Sequence, residues 1–230
     1  MARRPYNFLH FDLPDTAEIE NGLISEGELI ETILAFRRVG SSRPLKADCK
    51  RIRAATNETL LKPKFGKGFQ YDPRVVHVSG HGSKQGIEVL GSTVSWPEFA
   101  LALKSWVTKL PKNVLLRSIS SRSRRVLFFS CCHSAVPAKK LRELLRGYFS
   151  GCFYFVDQNP GLADALAVCA MFYREIDPIY PHSDKRRASM RLVDRINAFF
   201  GDDPLLDFEL WEDSAVDEVP DAARSSAPQR

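Results

Sequence analysis

The sequence has no apolar run approaching the roughly 18 residues that a membrane-crossing helix needs. Its longest apolar stretch, 162–173, is interrupted by Asp164, and a transmembrane helix is therefore not expected. The opening Met-Ala-Arg-Arg-Pro-Tyr is not followed by an apolar segment, so no secretory signal is expected either. Cysteine is scarce and shows no framework pattern. Cys49, Cys131, Cys132, Cys152 and Cys169 are odd in number and irregularly spaced. A disulfide scaffold is excluded on that ground, and reduced thiols in a cytoplasm are the expectation. There is no internal repeat, no aromatic-rich RNA motif and no helix-turn-helix pattern. What is present is ordinary globular material: 230 residues, 44% hydrophobic and 27% charged. That composition excludes wholesale disorder, collagen-like repetition and a coiled-coil rod. The length suits one α/β domain, large enough to bury well over half of its unfolded surface.

The net charge of +5 is unevenly spread. Residues 202–221 hold nine carboxylates and no Lys or Arg, whereas residues 1–195 hold 31 bases against 19 acids. Basic clusters occur at 46–53, 62–67, 122–125 and 185–191. Scattered clusters of this kind read better as solvated surface than as a nucleic-acid footprint. Residues 213–230, rich in Ala, Ser, Pro and Asp, are expected to form a disordered acidic tail after a single domain over 1–212.

Periodicity predicts a strand over 6–13, a Ser25–Glu28 capping box opening a helix over 26–38, and a second, basic helix over 45–61 carrying Cys49. Val75–Val78 and Val126–Phe129 read as apolar strands, the latter buried on both faces. Between them, 87–90 reads as a short strand. A capping box at Ser95–Glu98 opens a helix carrying Phe99, Leu101, Leu103 and Trp106. A helix over 138–149, a strand over 152–156, and helices over 162–176 and 186–200 follow. Short buried strands alternating with helices imply an α/β fold with a mainly parallel sheet covered on both faces.

In such sheets ligands bind beyond the carboxyl ends of the strands. Two strands here end in reactive residues, His81 within Gly80-His-Gly82 and Cys132 within Ser130-Cys-Cys132. If those strands are parallel neighbours, imidazole and thiol meet at one sheet edge. A thiol is a weak nucleophile until it ionises, and a nearby imidazole can take its proton. The N–H groups of Gly82 and Cys132 would then serve as an oxyanion hole.

The ordered pair Val-Val-His-Val-Ser-Gly-His-Gly (75–82) and Val-Leu-Phe-Phe-Ser-Cys-Cys (126–132) resembles the caspase-like cysteine peptidases, and within them most closely the CHAT domain. The His–Cys separation of about fifty residues is similar to the caspase spacing. A short strand and Ser-initiated helix after His-Gly, and a strand opening with Gly151-Cys152 after the cysteine, fit the same pattern over about residues 70–176. The resemblance implies a three-layer α-β-α sandwich and a cofactor-free endopeptidase acting on protein substrates through a Cys132–His81 dyad. It also implies an effector role in bacterial signalling or defence, switched on by a partner; no sensor domain is recognisable in the sequence, so a sensor or activator is expected to be a separate protein.

Cys131 stands where the family usually has a small residue, so it is the alternative nucleophile to Cys132. His133 adjoins the thiol too closely in sequence to point at it and reads as pocket rim or support, and His77 reads as a packed or hydrogen-bonded strand residue. A zinc site built from His77, His81, Cys131, Cys132 and His133 is disfavoured, because adjacent cysteines converge poorly on a tetrahedron; no metal is expected. Asp157 keeps two readings. It is a carboxylate for a basic P1 side chain, as the resemblance implies, or a loop-forming residue ahead of Pro160. The rival functions are a catalytically inactive CHAT-like interaction module and, less favoured, a basic nucleic-acid-binding protein.

Overall fold

The computed structural model describes residues 6–13, 25–39, 47–53, 56–62, 73–108, 125–176 and 185–211. The expected tail over 213–230 and most of the loops over 62–73 and 111–125 lie outside these residues. A six-stranded sheet runs in the order β2 (Ala47–Arg53), β1 (Tyr6–Leu13), β3 (Pro73–Gly80), β6 (Val126–Cys131), β7 (Gly151–Phe155), β8 (Leu206–Leu210). All neighbouring pairs are parallel except β7–β8. A separate hairpin is formed by β4 (Gly86–Val89) and β5 (Ser92–Ser95).

Strand alternation sends side chains to two cores. Phe8, Val75, Phe128 and Phe153 meet α1 (Glu26–Val39), α6 (Leu162–Glu175) and α7 (Lys185–Asn197) on one face. Leu9, Phe11, Val78, Phe129 and Cys131 meet the hairpin, α2 (Asn57–Leu61), α3 (Trp96–Thr108), α4 (Ala135–Lys140) and α5 (Arg142–Leu145) on the other. The result is an α/β sandwich of three layers. β6 and β7 are buried along their whole length, as a parallel strand covered on both sides must be. Phe128 sits at the centre of the first core, its ring 4.5 Å from those of His77 and Phe172. Among the described residues no helix is long and apolar enough to cross a membrane.

The capping boxes form as expected. Glu28 N–H donates to Ser25 Oγ at 3.3 Å, and Glu98 N–H to Ser95 Oγ at 3.4 Å. Three expectations are corrected. Residues 47–53 are not helical. They pair in parallel register along the open edge of β1, with Ile52 buried and the Arg51 guanidinium bonded to Asp12. Exposed Lys50 and Arg53 are charges of the kind that protect an edge strand, and in the sequence they imitate a basic helix face. Cys49 accordingly lies on this strand, half-buried against the first core.

The helix expected over 138–149 is two short helices broken at Leu141. Leu141, Leu145 and Phe149 all turn inward, and the Tyr148 and Phe149 N–H groups close on Leu145 O. Of the apolar residues on α3, Phe99 and Leu103 are buried and Leu101 is 58% exposed. Two strands were not anticipated. β5 forms because Leu90 and Gly91 both take positive φ, the turn that matches hairpin twist. β8 forms because Leu206 and Phe208 bury against β7, while the Asn197 side chain bonds Leu205 N, Leu206 N and Leu206 O.

Candidate active site

β3 and β6 are adjacent and parallel, with Gly80 in register with Cys131. The next residues, His81 and Cys132, therefore leave neighbouring strands at the same edge. Two glycines make the approach possible. Gly80 has φ +145, and a Cβ there would lie 2.7 Å from both Leu13 Cβ and Leu13 O. At Gly82 a Cβ would lie 2.5 Å from Cys132 O and 3.1 Å from Cys131 Sγ. The His-Gly turn is thus pressed against the Cys-Cys turn, and no larger residue fits at position 82 without backbone movement.

Gly82 also bridges to Ile87 of β4. The bonds of that bridge run from Ser83 N–H to Gly86 O at 2.8 Å and from Glu88 N–H to His81 O at 2.9 Å. They fix the His81 backbone without using the N–H of Gly82. The hairpin therefore acts as a brace for the histidine-bearing turn.

The two cysteines differ in setting. Cys131 is the last residue of β6, points into the second core and is 3% exposed. Burial pushes its thiol far up from the ordinary value. Cys132 begins the turn after the strand and is half-buried. His133 follows with φ +55, a left-handed conformation that costs a non-glycine residue free energy and that histidine tolerates better than most. The turn is held by His133 N–H donating to Gln158 O at 2.7 Å and by Phe155 N–H donating to buried Ser134 Oγ at 2.8 Å. Cys132 is thereby fixed on a tight strand-to-helix corner that is tied to the end of β7.

The thiol of Cys132 is raised above its usual value, first by burial and then by the negative charges of Glu88 and Asp157; a hydrogen bond with its own backbone partly opposes this. Such a thiol rests protonated, so attack on an electrophile requires a base that removes the proton during the reaction.

Asp157 is exposed just beyond β7, and one of its carboxylate oxygens accepts from Asn159 N–H at 3.0 Å. It is a loop-forming residue, and it also lies close enough to act on Cys132. His133 is half-buried, its Nδ1 without a hydrogen-bond partner among the described residues. His77 is fully buried, bonded to Tyr173 OH at 3.1 Å, and faces the first core, opposite to Cys131. The five-residue zinc set weighed from the sequence is therefore split between two faces of the sheet.

Glu88 and Gln158 belong to the surroundings of the thiol but carry no signal in the sequence. Glu88 arrives through the hairpin, and Gln158 contributes only its carbonyl. No protein-family model matches the sequence, and no curated protein matches it.

Proposed function

We propose that the chain is a caspase-like cysteine endopeptidase of the CHAT type, with Cys132 as nucleophile and His81 as general base and acid. The observation that carries this reading is the close contact of the Gly80-His81-Gly82 turn with the Cys131-Cys132 turn at one end of two parallel strands. Cys132 Sγ attacks the scissile carbonyl carbon as its proton passes to His81. The N–H groups of Gly82 and Cys132 receive the carbonyl oxygen as it becomes an oxyanion. His81 returns the proton to the leaving amine, and the C–N bond breaks to leave a thioester. Water then loses a proton to His81 and hydrolyses the thioester, releasing a carboxylate and regenerating the thiol. These steps ask for no cofactor.

Asp157 supplies a preference for Lys or Arg at P1. A cationic side chain beside Asp157 would offset one of the charges that keep the Cys132 thiol protonated, so substrate binding would itself ease ionisation. A separate activator protein would shape the pocket around this resting thiol. The same raised thiol favours one second reading, a catalytically inactive module that only binds a partner.

An irreversible thiol-directed peptide inhibitor with Arg at P1 separates the two, with the adduct located by mass spectrometry. Labelling of Cys132 that requires His81, together with cleavage of Arg-P1 fluorogenic peptides, is the expected result. An intact, accessible Cys132 that no peptide labels and no peptide panel engages would replace the peptidase reading with the binding module. Cleavage after Leu, Val or Asp unaffected by Asp157→Asn would remove Asp157 from the pocket and leave the dyad in place.

A further inference from the structure

On the α1 and α6 face, one layer below the candidate active site, the first core turns polar. His10, Asp12, His77, Ser79 and Ser130 are all buried there on β1, β3 and β6. Glu26 reaches in from the first turn of α1 and Cys169 from the middle of α6. His10 Nε2 and Ser79 Oγ are 2.7 Å apart, and the His10 and His77 rings stack with centroids 4.6 Å apart. The Nε2 of His77 lies 3.3 Å from Glu26 Oε1 and 3.9 Å from Cys169 Sγ. The Cys169 thiol donates to the Glu26 carboxylate and stands 3.6 Å from Ser130 Oγ. One ligand atom each from Glu26, His77 and Cys169 lies within 4.8 Å of the others.

One buried polar atom beside these groups is left over. The Arg51 guanidinium is engaged by Asp12 and Ser25. His10 Nδ1 is buried without a hydrogen-bond partner among the described residues. A carboxyl, an imidazole and a thiol thus converge at one buried point.

We propose that Glu26 Oε1, His77 Nε2 and Cys169 Sγ bind a Zn²⁺-class cation, with the fourth position on the side of Ser130 Oγ. Three features of the cluster fit this ion. Thiolate and imidazole are the donors such a borderline cation selects. A carboxylate and a thiolate cancel its two charges, so the filled site is neutral inside an aromatic core. Tyr173 OH beside Nδ1 lets that nitrogen carry the proton, which directs the Nε2 lone pair at the metal. On binding, the S–H bond of Cys169 is replaced by a metal–sulfur bond and its proton leaves to solvent, with no change of oxidation state. Entry is from the α1 side, since the Glu26 side chain is 12% exposed and that of His77 is 0%. The ion would clamp α1, β3 and α6 together four residues before His81 on the same strand. The site uses neither His81 nor Cys132 and does not depend on peptidase chemistry at the rim.

The test takes the full chain, purified under reducing conditions, measures metal per chain by plasma mass spectrometry, then strips it and titrates Co²⁺ as a coloured probe. One equivalent should bind with a thiolate-to-cobalt charge-transfer band and the visible bands of tetrahedral coordination. Cys169→Ser should remove the charge-transfer band, and Glu26→Gln should weaken binding at least tenfold, on the scale of lost metal-site contacts. Cys132→Ala and Cys131→Ser should leave both unchanged. Zn²⁺ should raise the melting temperature of the wild type and of Cys132→Ala, but raise that of Glu26→Gln less. If Cys169→Ser does not fold, Glu26→Gln alone decides. A folded, stripped wild type that takes up no Co²⁺ overturns the site. So does a charge-transfer band that survives Cys169→Ser or is lost in Cys132→Ala.

Discussion

The sheet carries similar chemistry twice, at different depths. At the rim, His81 is exposed and Cys132 half-buried, with Glu88 and Asp157 acting on the thiol. One layer inward, His77 and Cys169 are fully buried, with Glu26 between them. Both sets hang on β3: His77 is within the strand and His81 is four residues further on, past its end. Access separates what the two can do. Rim groups can meet a substrate and exchange protons with water. The inner groups can meet only one another or something as small as an ion. A histidine, a thiol and a carboxylate in proximity therefore do not define a function until their depth is known.

The comparison breaks most sharply at the thiols. Cys132→Ala should abolish peptide cleavage with an unchanged melting temperature, because the side chain lost stands at a corner and leaves little cavity. Cys131→Ser should keep a substantial part of the rate. The reverse pattern in a fluorogenic assay would move the nucleophile into the core. His81→Ala should lower the rate by about 10²–10⁴-fold, the usual weight of general acid–base help. His133→Ala should cost far less, and equal losses in kcat would dissolve the dyad.

A third change tests the inner region through stability alone. Phe128→Ala removes the ring that both His77 and Phe172 pack on and should cost about 3–5 kcal/mol in chemical denaturation. A loss under 1 kcal/mol would mean that the first core is looser than described. The smallest effect is on the acidity of the rim. Glu88 and Asp157 raise the Cys132 thiol, so Glu88→Gln with Asp157→Asn should lower it. More thiolate is then present at neutral pH, and the alkylation profile of Cys132, followed by peptide mapping, should move to lower pH. No movement, or movement to higher pH, would show that burial alone sets the thiol.

Much of the fold could be read from the sequence because local and tertiary signals agreed. The run Val126–Phe129 is apolar at every position, and only a strand covered on both sides needs that. Ser25 and Ser95 announce α1 and α3 through caps that form. The reading failed where partners distant in sequence decide. Cys49 and Ile52 stand three apart among Lys50, Arg51 and Arg53, a spacing that suits a helix, and the open edge of β1 makes the segment a strand. Leu206 and Phe208 are masked by the acids around them, and only β7 turns them into β8.

The rim site was legible as far as two strand ends bearing His-Gly and Cys can be. The register that joins them, and Glu88, belong to the folded chain. The inner cluster was not legible at all. Its thiol lies 92 residues from His77 and 143 from Glu26, beyond any spacing rule for metal ligands.

The strand order has a consequence for how the protein is made. After β1 and β2 pair, every later strand of the sheet is added on the same side: β3 on β1, β6 on β3, β7 on β6 and β8 on β7. A chain emerging from the ribosome thus extends its sheet in one direction, and at each stage the newest strand is the growth front. While that front is β6 or β7 it is an apolar strand with an unpaired backbone edge, the most adhesive condition the nascent chain passes through. β8 ends this exposure. It turns antiparallel and carries Asp207 and Glu209 among its residues, so it covers the front with charge rather than offering another apolar edge. A translation product that stops before Leu206 would retain the candidate dyad strands and keep the adhesive front, and it would be lost to aggregation before any chemistry at the rim was expressed.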